Sequence, residues 1–490
     1  MQIDLTLFFG ASIFIFCAFI FQKKQQYTIG LGLLLLGGLF LRIYIGLDNY
    51  PHPWDERYHA LVAKNLLKNP WVPKLYANPL LAYDYTQWTH NEVWLHKPPL
   101  TLWSIAVSFK IFGVSPFAIR IPSIILSTLS IYLLYMLGRD FWNRKIAFLA
   151  AFFLTINGLI LELVAGRVTT DHIDVHFLFF ILLAIVLARK AIKLKSLLIL
   201  FFMSLVLSCA LLTKWLPALV VLPIYGVMFM SEYKGQWRLL VMNMLLISTI
   251  VFVIVFPWHY YIHTVFPLEA KWEAEYNFKH LNHVVETHQG SLFFYLHKIR
   301  INYGELVYLP IIYFALKVRK FFSLKTAILL WFLIPFLVFS SVSTKMQGYL
   351  IISSPALFLM TAWTFYEIKT KGFKYRALAI ILMVLLIFLP VRYSVERLKP
   401  WMGEDRNQSW VGEIEAFGRD CPKNTVLFNY PYAIEAMFLT DIVAYYQLPS
   451  TEILQELQNK NYNIVIFKHG IYPVSEKMEA LFERVDFELH

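Results

Sequence analysis

Trp54-Asp55-Glu56-Arg57-Tyr58-His59 sets two adjacent carboxylates where a hydrophobic run ends, and Leu95-His96-Lys97-Pro98-Pro99-Leu100 follows about forty residues later. Acids and a lysine held beside hydrocarbon are costly, so at such a boundary they mark a candidate site. Further ionisable residues stand at comparable boundaries. Asp171, His172 and Asp174 open one apolar run, Lys214 closes another, and Lys345 lies in Thr344-Lys345-Met346-Gln347-Gly348-Tyr349. A carboxylate can take the proton of an attacking hydroxyl, and lysines can stabilise a departing phosphate. Each residue alone also has an ordinary explanation. Asp55 and Glu56 in a first helical turn favour the helix dipole by about 0.3–1 kcal/mol, Lys97 can snorkel to a headgroup, and Asp171 can serve as an N-cap. Their common depth, on many segments, instead describes the rim of a cavity.

The elements that must position them are membrane spans. Of 490 residues, 58% are hydrophobic and only 16% charged, and the mean hydropathy is +0.56, well outside the range of soluble domains. Apolar runs long enough for hydrocarbon lie near 5–21, 28–47, 117–137, 146–164, 173–188, 196–212, 215–230, 239–257, 305–316, 326–342, 348–366 and 377–393, with 305–316 notably short. The expectation is an all-α polytopic membrane protein of about twelve spans.

The net charge of +12 is not gathered on one domain, which argues against a nucleic-acid partner. It sits in short alternate connections: Lys23/Lys24, Arg139/Arg144/Lys145, Arg189/Lys190/Lys193/Lys195, Lys234/Arg238, Lys317/Arg319/Lys320/Lys325 and Lys369/Lys371/Lys374/Arg376. The positive-inside rule puts these in the cytoplasm and both termini outside. The run from Leu5 to Phe21 follows Asp4 with no basic residue ahead of it, a poor signal peptide, and reads as a retained first span. The three cysteines give no disulfide framework. No cytoplasmic connection has room for a nucleotide-binding domain, and no Walker-type loop is present.

Long connections emerge only outside, at 48–116, at 258–304 and in the tail. Residues 53–68 read as an amphipathic helix with Pro53 at its first position. Residues 100–112, too short to span, read as an interfacial helix with Trp103 as an anchor. The second loop, with His280, His283, His288 and His297, is expected to lie over the membrane surface. Two domains follow: 1–395, and an extracytoplasmic α/β domain at 396–490. In the latter, Val426-Leu427-Phe428 and Ile464-Val465-Ile466-Phe467 are strands, Ser450 caps a helix, and a last helix covers 475–484. No catalytic constellation is evident in it.

Nucleotide sugars are confined to the cytoplasm, so glycosyl groups used outside arrive on polyprenyl phosphates. Such a leaving group departs as an anion without protonation, needing cations rather than a general acid. One carboxylate and one or two lysines are then sufficient for direct displacement with inversion.

The motifs resemble, in order, the GT-C polytopic glycosyltransferases of the protein mannosyltransferase and lipid A aminoarabinose transferase type. They are the Asp-Glu pair, Lys97-Pro-Pro-Leu with Trp103, Phe112-Gly113…Arg120-Ile121-Pro122-Ser123, Gly166-Arg167-x-Thr-Thr-Asp171, Leu-Thr-Lys214, Pro257-Trp258 and Lys345…Tyr349…Pro355. The similarity covers about 28–366. It implies Asp55 as the catalytic carboxylate supported by Glu56, Lys97 on the donor phosphate, and Lys345 and Tyr349 lining the donor side. It also implies action without a required cofactor. Asp171, His172 and Asp174 with the loop histidines are an alternative divalent-metal set, although their spacing is not a recognised site. Arg57, Tyr58, His59, His96 and Lys214 are further candidates. Two positions depart from the pattern: His59 stands where many members have tyrosine, and His96 where the aminoarabinose enzymes have an acid before Lys-Pro-Pro.

The expectation is therefore an inverting glycosyltransferase in a bacterial inner membrane with its site facing the periplasm. It would move a sugar from a polyprenyl-phosphate donor to a hydroxyl or phosphate of a lipid, glycan or protein acceptor among membrane lipids. The alternatives are a flippase or transporter of lipid-linked sugars, for which inverted repeats are not evident, and a scaffold displaying the tail, which leaves the rim residues unexplained.

Overall fold

A computed structural model describes residues 2–371, 375–400 and 406–485; Lys374 of the last basic connection lies outside them. Every expected span is helical. Among the described residues nine helices are long and apolar enough to cross a membrane, from Leu5–Lys23 to Arg376–Leu398. The run at 146–164 is a pair, Arg144–Ile156 and Gly158–Val164, bent by 52°. The runs at 215–230 and 305–316 form the shorter apolar helices Leu216–Glu232 and Glu305–Leu316. The chain is a multi-pass membrane protein.

Local chemistry sets several of these boundaries. Asn143 Oδ1 accepts from Lys145 N and Ile146 N, Ser196 Oγ from Ile199 N, and Ser323 Oγ from Thr326 N, so three of the basic connections end on N-caps. Helices Gln2–Lys23 and Tyr27–Ile45 approach closely because a Cβ at Gly37 would meet Ile15 Cγ1 at 2.7 Å and Ala11 O at 3.0 Å. The 52° bend falls at Asn157, whose Oδ1 caps the next helix through Ile160 N at 3.1 Å while Nδ2 donates to Asn302 O at 2.9 Å. The fully buried Arg42 donates to Thr155 O at 3.3 Å and Leu154 O at 3.4 Å, at the end of the helix before the bend. Within hydrocarbon, freed backbone groups need such internal partners.

Two compact units emerge. One comprises 1–46, 95–101 and 120–401; the other comprises 47–94, 102–119 and 402–490. Most of the first outer loop thus clusters with the tail, while 95–101, which carries Lys97, clusters with the membrane helices. In that second unit, strands β1 (Thr425–Phe428), β2 (Val443–Ala444), β3 (Asn463–Phe467) and β4 (Glu483–Val485) form a wholly parallel sheet ordered β2-β1-β3-β4. The expected strands are β1 and β3, and all four residues of β1 are buried. The helix expected over 475–484 ends at Leu481, because residues 483–485 pair with Val465–Phe467 instead. Ser450 occupies the N-cap position of Thr451–Asn459, but its side chain makes no capping bond.

Candidate active site

The first outer loop folds into helix Asp55–Leu66, with Trp54 rather than Pro53 at its boundary; Pro53 lies in the preceding turn. Asp55 and Glu56 open the helix and divide sharply in environment. Asp55 is half-buried, whereas Glu56 is 0% exposed. Glu56 Oε2 accepts from His52 N at 2.7 Å, and Arg57 N donates to His52 O at 3.3 Å. This reach-back satisfies backbone groups ahead of the helix as a capping box does.

The remaining residues of the motif are supports within the same unit. Arg57 Nη1 donates to Glu435 Oε1 at 3.0 Å. Burial lowers the Arg57 pKa, but the Glu435 carboxylate outweighs it and holds the guanidinium above its ordinary value. Tyr58 stands edge-on to Trp88 at 4.9 Å, and the fully buried His59 lies 5.4 Å from Trp94, ring to ring.

In the membrane-helix unit, the later motifs converge. Ser123 Oγ is 2.9 Å from His172 Nδ1, which joins Arg120-Ile121-Pro122-Ser123 to the start of helix Asp171–Leu194. Thr170, with φ +65°, holds the N-cap position, so the ordinary explanation of Asp171 as a cap does not apply, and Asp171 Oδ1 accepts from Ile173 N at 3.4 Å. Asp174 is buried and hydrogen-bonded to both Thr170 Oγ1 and Lys214 Nζ. The Lys214 ammonium lies 5.2 Å from the Tyr349 ring centroid. Gly348 leaves the space this cluster fills: a Cβ there would meet Asp174 Oδ2 at 2.5 Å and Thr170 Oγ1 at 2.7 Å. Thr170 and Trp215, on either side of the Asp174–Lys214 pair, are both non-glycine residues at positive φ. Strain of this kind persists only where the surroundings hold it, often at functional sites.

Lys345 is 5% exposed and donates to Ser340 O at 2.8 Å and Val342 O at 2.6 Å, closing the end of helix Leu324–Ser341. An ammonium carries one N–H beyond these two. Burial holds its pKa below the usual lysine value. The second outer loop packs around this segment, since Lys345 N donates to His288 O, Thr344 N to His280 O and Thr344 Oγ1 to His283 O. Helix Pro267–Asn282 of the same loop brings Glu273 Oε2 to 3.3 Å from His96 Nδ1, beside Lys97 in sequence. Burial pushes the Glu273 carboxyl up to about 8, against the pull of Lys97 and His280.

Among the described residues no group of three or more His, Cys, Asp or Glu side chains is placed to share an ion, and Asp171 and His172 are fully buried. Sequence reasoning missed Glu273, Gly348, Thr170 and the partners of the first outer loop in the tail. Gly348 and Thr170 left a sequence signal, each standing in a motif already singled out, beside Tyr349 and Asp171 respectively.

Residues 96–261 match the model of the family described as dolichyl-phosphate-mannose-protein mannosyltransferase. An uncharacterised protein of Aquifex aeolicus is 27% identical over 314 residues, 63% of this chain and 58% of that one. The undecaprenyl phosphate-alpha-4-amino-4-deoxy-L-arabinose arabinosyl transferase of Pseudomonas paraeruginosa is 27% identical over 251 residues, 49% of this chain and 41% of that enzyme. The chain thus spans between two-fifths and three-fifths of the length of these curated relatives. The crystal structure of ArnT from Cupriavidus metallidurans bound to undecaprenyl phosphate superposes with a TM-score of 0.64 at 14% identity, covering 88% of each chain. The fold is that of the GT-C glycosyltransferases, and the resemblance read from the ordered motifs holds.

Proposed function

We propose that this chain is an inverting glycosyltransferase acting on a polyprenyl-phosphate-linked sugar at the outer face of a bacterial inner membrane. What carries this reading is the coincidence of the family match over 96–261 with the stretch that holds Lys97, Asp171, Asp174 and Lys214. The lipid phosphates in the names of the relative and the solved structure support the same donor class.

The residues divide the chemistry as follows. Asp55, half-buried, takes the proton of the acceptor hydroxyl as its oxygen attacks the anomeric carbon. Glu56, locked on His52 N, holds the helix start rather than sharing that proton. The bond from the anomeric carbon to the phosphate oxygen breaks, and polyprenyl phosphate leaves as an anion. Lys97 and the remaining N–H of Lys345 meet its charge, where fixed cations favour the transition state. Tyr349, seated against Phe339 at 5.0 Å and Lys214 at 5.2 Å, walls the donor side. Asp174 neutralises Lys214, so that lysine supports the wall rather than the leaving group.

Mass spectrometry of envelope lipids, glycans and proteins from a deletion strain tests this. One sugar substituent should be missing and should return with the wild-type gene but not with Asp55→Asn. An unchanged envelope alongside altered distribution of lipid-linked sugars across the membrane would favour a transporter.

A further inference from the structure

The segment that leads into helix Asp55–Leu66 is tied to the C-terminal domain by a buried chain of polar contacts. Arg406 Nε donates to Asp48 Oδ1 at 2.8 Å, and the other oxygen of Asp48 lies 3.0 Å from His52 Nε2. His52 in turn anchors the first helical turn twice, its N–H on Glu56 and its carbonyl on Arg57 N. Asp48, His52, Glu56 and Arg406 are exposed by only 2%, 7%, 0% and 5%. The backbone runs in parallel with this link, as Asn49 N donates to Arg406 O at 3.0 Å and Gln408 N to Asn49 Oδ1 at 3.1 Å.

The same helix is gripped further along. Arg57 pairs with Glu435, and Lys64 Nζ donates to Met437 O, Phe438 O and Thr440 O at 2.9, 3.1 and 2.6 Å, covering the end of helix Ala433–Leu439. Lys64 thereby satisfies carbonyls that a helix C-terminus leaves unpaired. These contacts bind residues 48–64 to residues 406–440, sequence that is otherwise unrelated to the motifs.

We propose that Arg406 is a positioning residue for the Asp55 carboxylate, acting through Asp48 and His52 to fix where the helix begins. The C-terminal domain then takes part in transfer without touching the reacting atoms. A shift of about 1 Å in a catalytic group costs on the order of 10²-fold in rate, so a slack helix start is enough to slow the reaction. The inference rests on the reading of Asp55 as the base.

The test uses the full chain in detergent, with polyprenyl-linked sugars extracted from the source membranes as donor and undecaprenyl phosphate as binding probe. In Arg406→Gln, kcat should fall roughly 10- to 100-fold while affinity for undecaprenyl phosphate stays within about twofold. Arg406→Lys, which keeps the charge, should recover part of the loss. Amide hydrogen exchange should quicken at 52–58 and stay unchanged in β1 and β3. Should Arg406→Gln fail to fold, Asp48→Asn carries the same test. A folded variant with wild-type kcat, or with its whole defect in lipid affinity, overturns the proposal when Asp55→Asn is inactive. If Asp55→Asn is itself active, it is the assignment of the base that fails, and quickened exchange at 52–58 still shows the mechanical link.

Discussion

His96 and Glu273 meet with Nδ1 3.3 Å from Oε2 although 177 residues separate them. The His96-Lys97 motif therefore has a carboxyl group of the second outer loop beside it. Because burial raises this carboxyl from 4.5 to about 8, the folded chain binds a proton there that the unfolded chain has already lost. Stability falls as pH rises between those values and levels off above about 8. Glu273→Gln should remove this decline, so its advantage in thermal denaturation midpoint over wild type should grow from pH 5 to pH 8 and then hold. Equal midpoints across that range would show that Glu273 is not buried as a neutral acid.

The donor side gives a second test. Lys97→Ala and Lys345→Ala should each weaken binding of undecaprenyl phosphate and slow transfer. Lys345→Ala should in addition lower the denaturation midpoint, because Ser340 O and Val342 O lose their donor. Unaltered binding and transfer in Lys97→Ala would reduce that lysine to a headgroup contact.

The spans and the order of the motifs were legible because hydrophobic run length and loop charge are written residue by residue. So were β1 and β3, whose unbroken apolar runs mark buried strands. The partners of the motif residues were not. Nothing local in Arg406, Glu435 or Glu273 distinguishes them from surface charges; their roles come from chain segments that meet only on folding. That Thr170 rather than Asp171 holds the N-cap position was hidden for a related reason, since Thr170 takes up a left-handed conformation that residue type alone does not announce. The division between Asp55 and Glu56 likewise depends on which carboxylate reaches back to His52 N.

Gly348 isolates packing from charge. Gly348→Ala adds one methyl group into the oxygens of Asp174 and Thr170, so it should destabilise the protein by about 1–3 kcal/mol, typical of overpacking. Transfer should fall with it, because the Lys214–Tyr349 wall rests on the same cluster. Wild-type stability in a chemical or thermal melt would mean that this region is looser than the contacts indicate.

Orientation can be read by labelling after the native cysteines are removed. Gln87 in the first outer loop and Gln236 in the Lys234/Arg238 connection are both exposed. A cysteine at 87 should react with an impermeant maleimide in intact spheroplasts, and one at 236 only after the membrane is opened, as the charge bias of short loops requires. Reaction at 236 first would place Asp55 with the nucleotide sugars and remove the case for a lipid-linked donor.

The most direct measurement is single-turnover release of polyprenyl phosphate by purified wild-type and Asp55→Asn protein, at equal occupancy with extracted lipid-linked donor and acceptor. Asparagine keeps the size of the side chain and removes its ability to take a proton, so release should slow by about 10²-fold or more while undecaprenyl phosphate still binds. Release at the wild-type rate by the asparagine variant would contradict the assignment of Asp55 as the base and leave it as a helix-terminal charge.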